Sequence, residues 1–168
     1  RGDRVKPYRF NVGIALFNAS GEVFVGKALA DGPEIIEPGF EWQMPQGGID
    51  PAEDVIAAAR RELREETGIM AADLLAVTDT YWRYDFPPYA PTGHRLEAFA
   101  GQQQRWAAFR FTGDERDISL TADGADFYPE FSEWRWVTLD EAVAGVVSYK
   151  RPNYARMAAA FARFATVR

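Results

Sequence analysis

Residues 47–69 read GGIDPAEDVIAAARRELREETGI, and this stretch decides the fold. It predicts a helix over 50–67. Asp50 supplies a cap, Pro51 suits the first helical position, and Glu53 completes a capping box. Gly68 stands where a helix ends on a left-handed residue. At about 100° per residue, Glu62, Glu65 and Glu66 share an arc of roughly 100°. The apolar stripe Ile56, Ala59 and Leu63 runs beside that arc. The acids therefore border the packed face, where a cleft can form. Three carboxylates this close repel one another unless a cation intervenes, and an all-oxygen donor set suits Mg²⁺ or Mn²⁺. Arg61 precedes Glu65 by one turn and can hold it as an i,i+4 pair. The plain alternative is a solvated acidic helix face.

Upstream, residues 11–17 (NVGIALF) form an apolar run, Gly21 marks a turn, and 23–26 read as the returning strand. Residues 30–40 are Pro- and Gly-rich and predict a loop. Residues 42–44 predict a brief strand before a turn at 45–48. Downstream, 74–81 and 104–112 read as strands, with a long loop over 85–101 between them. A strand over 134–137 precedes a short helix from Leu139. Residues 151–167 predict a second amphipathic helix, with Met157, Phe161 and Phe164 at helical spacing. Irregular alternation of strands and helices predicts an α+β fold, a mixed sheet flanked by helices, in a single domain over 1–168.

The 168 residues are 47% hydrophobic and 14% aromatic, enough for a substantial core. With no Cys, disulfides, zinc–thiolate sites and cysteine nucleophiles are excluded. With His94 as the one histidine, a Ser-His-Asp triad or a multi-His metal site is disfavoured, and His94 itself reads as an exposed loop residue. The net charge of −6 argues against stable non-specific DNA binding. No apolar run approaches the length of a membrane span, and the composition reads as cytoplasmic.

From Gly47 the chain runs G-x5-E-x7-R-E-L-x-E-E-x-G-I, through Glu53, Arg61, Glu62, Leu63, Glu65, Glu66, Gly68 and Ile69. This resembles the Nudix box without a departure. Seven Gly, Glu and Arg positions match. At roughly one in 15 per position, chance gives on the order of one match in a hundred million per starting point. The resemblance implies an α/β/α sandwich and a Nudix hydrolase. It further implies hydrolysis of a nucleoside diphosphate joined to another group, with divalent cations held by the box.

Carried over position by position, Glu62 and Glu66 are expected metal ligands, with Glu65 a further ligand and the Gly47 carbonyl a candidate. Glu53 and Arg61 are expected to be scaffold, the first capping the helix and the second orienting acids, with Gly68 closing the box. Glu62, Glu65, Glu66 and Glu130 are the candidate catalytic acids. Glu130 resembles an additional ligand or base supplied from outside the box.

The segments 8–13, 42–49, 84–87, 101–106, 130–137 and 146–151 extend the resemblance to the family's bacterial RNA pyrophosphohydrolase, or dinucleoside polyphosphate hydrolase, group. It implies a nucleotide or the 5′ end of an RNA as substrate. Pyrophosphate would be released from 5′-triphosphorylated RNA, diadenosine tetraphosphate split to ATP and AMP, or both. Arg9, Lys27 and Arg105 are expected to meet phosphates. Gln46 is expected at the substrate, and Tyr84, Tyr149 and Lys150 are expected to stack on and clamp a base. Arg151 and Arg156 add positive charge near the second helix. Phe10 and Lys27 depart from the Pro or Arg, and the Arg, common in relatives. The loops over 30–40 and 92–100 are long for RNA-processing members. The alternatives are a hydrolase of a smaller nucleotide such as ADP-ribose, and a non-catalytic nucleotide-binding module.

Overall fold

The computed structural model describes residues 5–29, 35–88, 96–120 and 130–166. Its centre is a parallel pair, β1 (Tyr8–Phe17) and β7 (Gly101–Phe111), in register from Tyr8 beside Gly101 to Phe17 beside Arg110. On one side of β1 lies β2 (Val23–Ala28), flanked in turn by β3 (Trp42–Gln43) and β8 (Phe131–Val137). β4 (Gln46–Gly48) also pairs with β1, antiparallel. On the far side of β7 lie β5 (Ala72–Val77) and β6 (Trp82–Asp85), both antiparallel to it. The result is a mixed sheet of eight strands among the described residues.

Alternation along β1 and β7 divides the core in two. Val12, Ile14, Leu16, Ala107 and Phe109 face α1 (Val55–Thr67), where Ala58, Ala59 and Leu63 meet them. Ala15, Phe17, Trp106 and Ala108 face α2 (Leu139–Gly145) and α3 (Arg151–Phe161), packing on Ala142, Tyr154, Met157 and Phe161. The α+β sandwich is therefore as expected. Each large side chain of this kind removed from water contributes roughly 1.5–3 kcal/mol, so strands buried on both faces anchor the molecule. Gly13 lies against the Trp106 indole, where a Cβ would sit 2.7 Å from the ring.

Several boundaries differ from expectation. α1 begins at Val55, not Asp50, and its cap is Asp54, whose carboxylate accepts from the backbone N–H of Ile56 (2.8 Å) and Ala57 (3.3 Å). Asp50–Glu53 is a separate turn, closed by the Glu53 N–H on the Asp50 carbonyl. Two carboxylates four residues apart both suit a cap, and only the one whose side chain reaches the first-turn N–H groups ends up there. The turn expected over 45–48 contains β4: Gly47 and Gly48 stay extended because a helix and an arginine crowd them. The strand expected over 74–81 breaks at Thr78, whose Oγ1 accepts from the Trp106 N–H at 2.9 Å. The last helix ends at Phe161 and closes in a 3₁₀ turn over Ala162–Phe164. The C-terminal stop at Gly68 is as expected, with φ 72° and its N–H on the Arg64 carbonyl. His94 and parts of the two long loops (30–34 and 89–95) lie outside the described residues.

Candidate active site

The turn and cap before α1 place Glu53 so that it faces Arg61 two turns along. The Arg61 guanidinium then collects its partners: Glu53 twice (2.8 and 2.9 Å), Glu62 (2.7 Å), Glu65 (3.3 Å) and the Gly48 carbonyl (2.9 Å). Five such bonds to one planar fork fix both the helix and β4 relative to the acids. Arg61 thus bonds Glu62 and Glu65 as well as Glu53. Glu53 does not cap α1, because its carboxylate is committed to Arg61 and its remaining bond is to the Asp50 N–H at 3.3 Å. That pairing holds the Glu53 carboxyl below the usual carboxylate range.

Glu62 and Glu66 are the more enclosed acids. The Glu62 carboxylate lies against Gly47, where a Cβ would fall 2.0 Å from its carboxyl carbon, so any side chain there would have to displace it. Burial pushes the Glu62 carboxyl up; Arg61 opposes this, Glu65 adds to it and Arg9 counters it. Glu66 is buried, and its Oε2 accepts from the Gln46 N–H at 3.3 Å. Glu65 is partly exposed.

On the opposite face of β4 and β1, Arg9 lies over Gly48, whose missing Cβ leaves it room, and donates to Gln102 Oε1 at 3.2 Å. Behind it lies a buried amide network. Asn11 Nδ2 donates to Gln46 (2.5 Å) and Gln102 (2.9 Å). Gln102 Nε2 donates to the Tyr84 hydroxyl (2.5 Å), and Gln104 Nε2 to Asn11 Oδ1 (2.8 Å). Asn153 of α3 joins through Gln104 at 3.4 Å. Sequence reasoning assigned no role to Asn11, Gln102, Gln104 or Asn153. The available signal was Gln102 and Gln104 alternating into the same face as Trp106 and Ala108, polar groups at core-facing positions that must be hydrogen-bonded.

The structure thus brings together Gly47, Gln46, Glu62, Glu65 and Glu66, with Arg9 across β4 from them over Gly48. Tyr84 and Tyr149 also meet, at 5.8 Å between ring centroids. Tyr84 is buried, and the Tyr149 hydroxyl donates to the Ile35 carbonyl at 2.8 Å. Lys150 is buried and donates to Gln43 at 3.0 Å, so it is a seated cation rather than an open clamp. Lys27 pairs with Glu133 of β8 at 3.7 Å. Glu130 ends the chain entering β8, its carbonyl accepting from the Leu29 N–H. Arg105 donates to the Thr78 carbonyl at 2.8 Å, on the α1 face. Arg151 is spent on the Val143 and Val146 carbonyls, and Arg156 is exposed on α3.

Among the described residues no three acids converge into a closed metal cage, since Glu62 and Glu65 lean onto Arg61. The donors nevertheless fit a hard divalent cation. They are all oxygen, they lie within one helical turn, and burial penalises the Glu62 charge that a cation would favour.

The NUDIX domain model matches residues 7–161. The chain belongs to the Nudix family. An RNA pyrophosphohydrolase of Acidiphilium cryptum is 46% identical over 166 residues, covering 98% of this chain and 96% of that protein. An RNA pyrophosphohydrolase of Rhodospirillum rubrum is 48% identical over 159 residues, covering 95% and 90%. Among solved structures, an E. coli dihydroneopterin triphosphate pyrophosphohydrolase superposes with a TM-score of 0.62 at 17% identity, covering 90% of this chain and 97% of that one. A C. elegans Ap4A hydrolase complex superposes at 0.56 and 18%, covering 91% and 98%. These two show the Nudix fold. Nudix hydrolases generally use divalent metal ions. No helix among the described residues is long and apolar enough to cross a membrane.

Proposed function

We propose that this Nudix protein is a pyrophosphohydrolase of RNA 5′ ends, taking 5′-triphosphorylated RNA to the 5′-monophosphate with Mg²⁺ or Mn²⁺ as cofactor. The observation that carries this is an intact box, folded with its acids on one edge of α1, in a chain that matches the two RNA pyrophosphohydrolases over nearly their full lengths. The ligand set is Glu62, Glu65 and Glu66, with the Gly47 carbonyl and Glu130 completing it. A divalent cation held there would neutralise the polyphosphate and polarise its oxygens.

The protein's own groups divide the remaining work. Arg61 holds the acids in place before substrate arrives, so their orientation costs nothing at the reacting step. Arg9, fixed by Gln102 and turned over Gly48, presents a guanidinium to the polyphosphate. Tyr149, beside Tyr84, offers the ring on which the first base rests. Lys27 and Arg105 contribute charge from flanking strands. Lys150, bonded to Gln43, holds the segment that carries Tyr149.

The test is a competition between 5′-triphosphorylated RNA and diadenosine tetraphosphate, with products resolved by chromatography. Release of pyrophosphate and 5′-monophosphate RNA is expected to dominate; dominance of ATP and AMP would move the substrate to dinucleotides. In the same assay Glu66→Gln is expected to lower kcat at least about a hundredfold with the folded circular dichroism spectrum retained. Near-normal turnover in that variant would refute the ligand assignment.

A further inference from the structure

The α1 face of the sheet is covered only in part. Beyond the helix, toward the start of β1, alternate residues of three strands are exposed or half-buried. They are Tyr8 and Phe10 of β1, Gln103 and Arg105 of β7, and Arg83 of β6, with Tyr81 just before it. Phe10 is 50% and Tyr81 37% exposed, and among the described aromatics Phe40 alone is comparably open. Their rings meet edge to face at 5.1 Å. Arg105 lies 5.8 Å from the Tyr81 ring centre and Arg83 4.5 Å from that of Tyr8. The mechanism above uses neither Phe10, Tyr81, Arg83 nor Tyr8.

The geometry points to a binding platform for the single-stranded body of an RNA, downstream of the 5′ end that is hydrolysed. This rests on the RNA reading of the active site. Flat rings supply stacking surfaces for bases of any sequence, and guanidinium groups beside them supply charge for the backbone. The electrostatics favour a polyanion. On a chain of net charge −6, the strands of this face carry two arginines against one carboxylate, Asp85, which the Tyr8 hydroxyl bonds, while Asp79 lies exposed in the turn before Tyr81. The platform also adjoins the chemistry. Arg105, Val12 and Gly47 stand in one row across β7, β1 and β4, and Glu62 lies over Gly47. At strand spacings of about 4.8 Å, the platform begins roughly 10 Å from the acids.

Two probes separate this inference from the function it rests on. The first is a fluorescent single-stranded RNA with a 5′-hydroxyl, which cannot be hydrolysed at its end, followed by anisotropy. The second is a 5′-triphosphorylated dinucleotide, which has no chain beyond its second nucleotide to lie along the platform, followed by pyrophosphate release. The variant pair Phe10→Ser with Tyr81→Ala is expected to weaken binding of the first probe roughly ten- to hundredfold, leaving kcat/KM on the second at the wild-type value. The ring-keeping pair Phe10→Tyr with Tyr81→Phe is expected to bind as wild type, which separates lost rings from lost fold. Undiminished binding in the ring-less pair overturns the platform, as does equal loss in both pairs. Concentration-dependent self-association that the ring-less pair abolishes, without an RNA effect, assigns the face to a second copy of the chain instead. If wild type leaves the triphosphate intact but binds the 5′-hydroxyl RNA in a ring-dependent way, the hydrolase reading fails and the platform stands.

Discussion

Arg61 makes the same residue serve stability and chemistry. Its guanidinium joins Glu53, Glu62, Glu65 and the Gly48 carbonyl, and the clustered acids hold it still more firmly charged than an ordinary arginine. The sign of the pH dependence follows from Glu53, whose carboxyl is depressed in the folded state by Arg61. A depressed carboxyl contributes stability above its unfolded pKa of about 4.3, and that stability is lost as pH falls toward the folded value. Glu53→Gln removes this contribution. The pair is partly screened, with side-chain exposures of 17% and 25%, so the variant is expected to lose about 1–2 kcal/mol at neutral pH. Denaturant titrations of both proteins should show that gap closing below the ordinary carboxylate range. A gap constant from neutral to acid pH would mean that Glu53 acts through packing. The box spacing made Arg61 and the three α1 acids legible in the sequence. What it could not show is that Arg61 chooses Glu53, a partner eight residues away, over serving only its i,i+4 neighbour.

At the level of elements, α1 shows how a correct helix can carry a wrong start. Asp50, Pro51 and Glu53 have the residue types of a helix beginning, and in isolation they satisfy it. Asp54 wins because its carboxylate bonds two first-turn N–H groups while Glu53 is drawn off by Arg61. Asp54→Ala is therefore expected to cost about 1 kcal/mol, and Asp50→Ala less than about 0.5 kcal/mol, measured by urea denaturation. The reverse order would restore Asp50 as the cap. β4 was hidden for a related reason. Gly47 and Gly48 carry turn composition, yet they are extended because Glu62 occupies the space of one missing Cβ and Arg9 that of the other. Both occupants come from distant chain segments, so no local pattern could distinguish a turn from a strand. The strand pair β1 and β7, by contrast, was legible over its apolar halves. Their first three residues, 8–10 and 101–103, were not, because Gln102 is buried only by virtue of bonding Asn11 and Tyr84.

Across the whole molecule, the two faces of one sheet are tied together through a single column. Gly13 of β1 admits the Trp106 indole, the indole meets Tyr154 of α3 at 5.3 Å, and the Tyr154 hydroxyl accepts from the Met44 N–H at 2.8 Å. Met44 stands two residues before Gln46, whose own N–H holds Glu66. A helix near the C-terminus therefore sets the position of the segment that carries the acids' backbone partners, a dependence spanning 110 residues of sequence that composition and periodicity cannot express. Tyr154→Phe tests it with little change of volume. The ring and its packing on Trp106 survive, but the buried Met44 N–H loses the hydroxyl, at a cost of about 1–3 kcal/mol. The thermal midpoint is expected to fall accordingly. If the column positions the site, kcat should also fall, by several-fold, with KM for the dinucleotide nearly unchanged, because what is disturbed is the set of acids rather than the surface that meets the base. A lowered midpoint with unaltered kcat would confine Tyr154 to stability and leave Gln46 and Glu66 positioned by Arg61 and β1 alone.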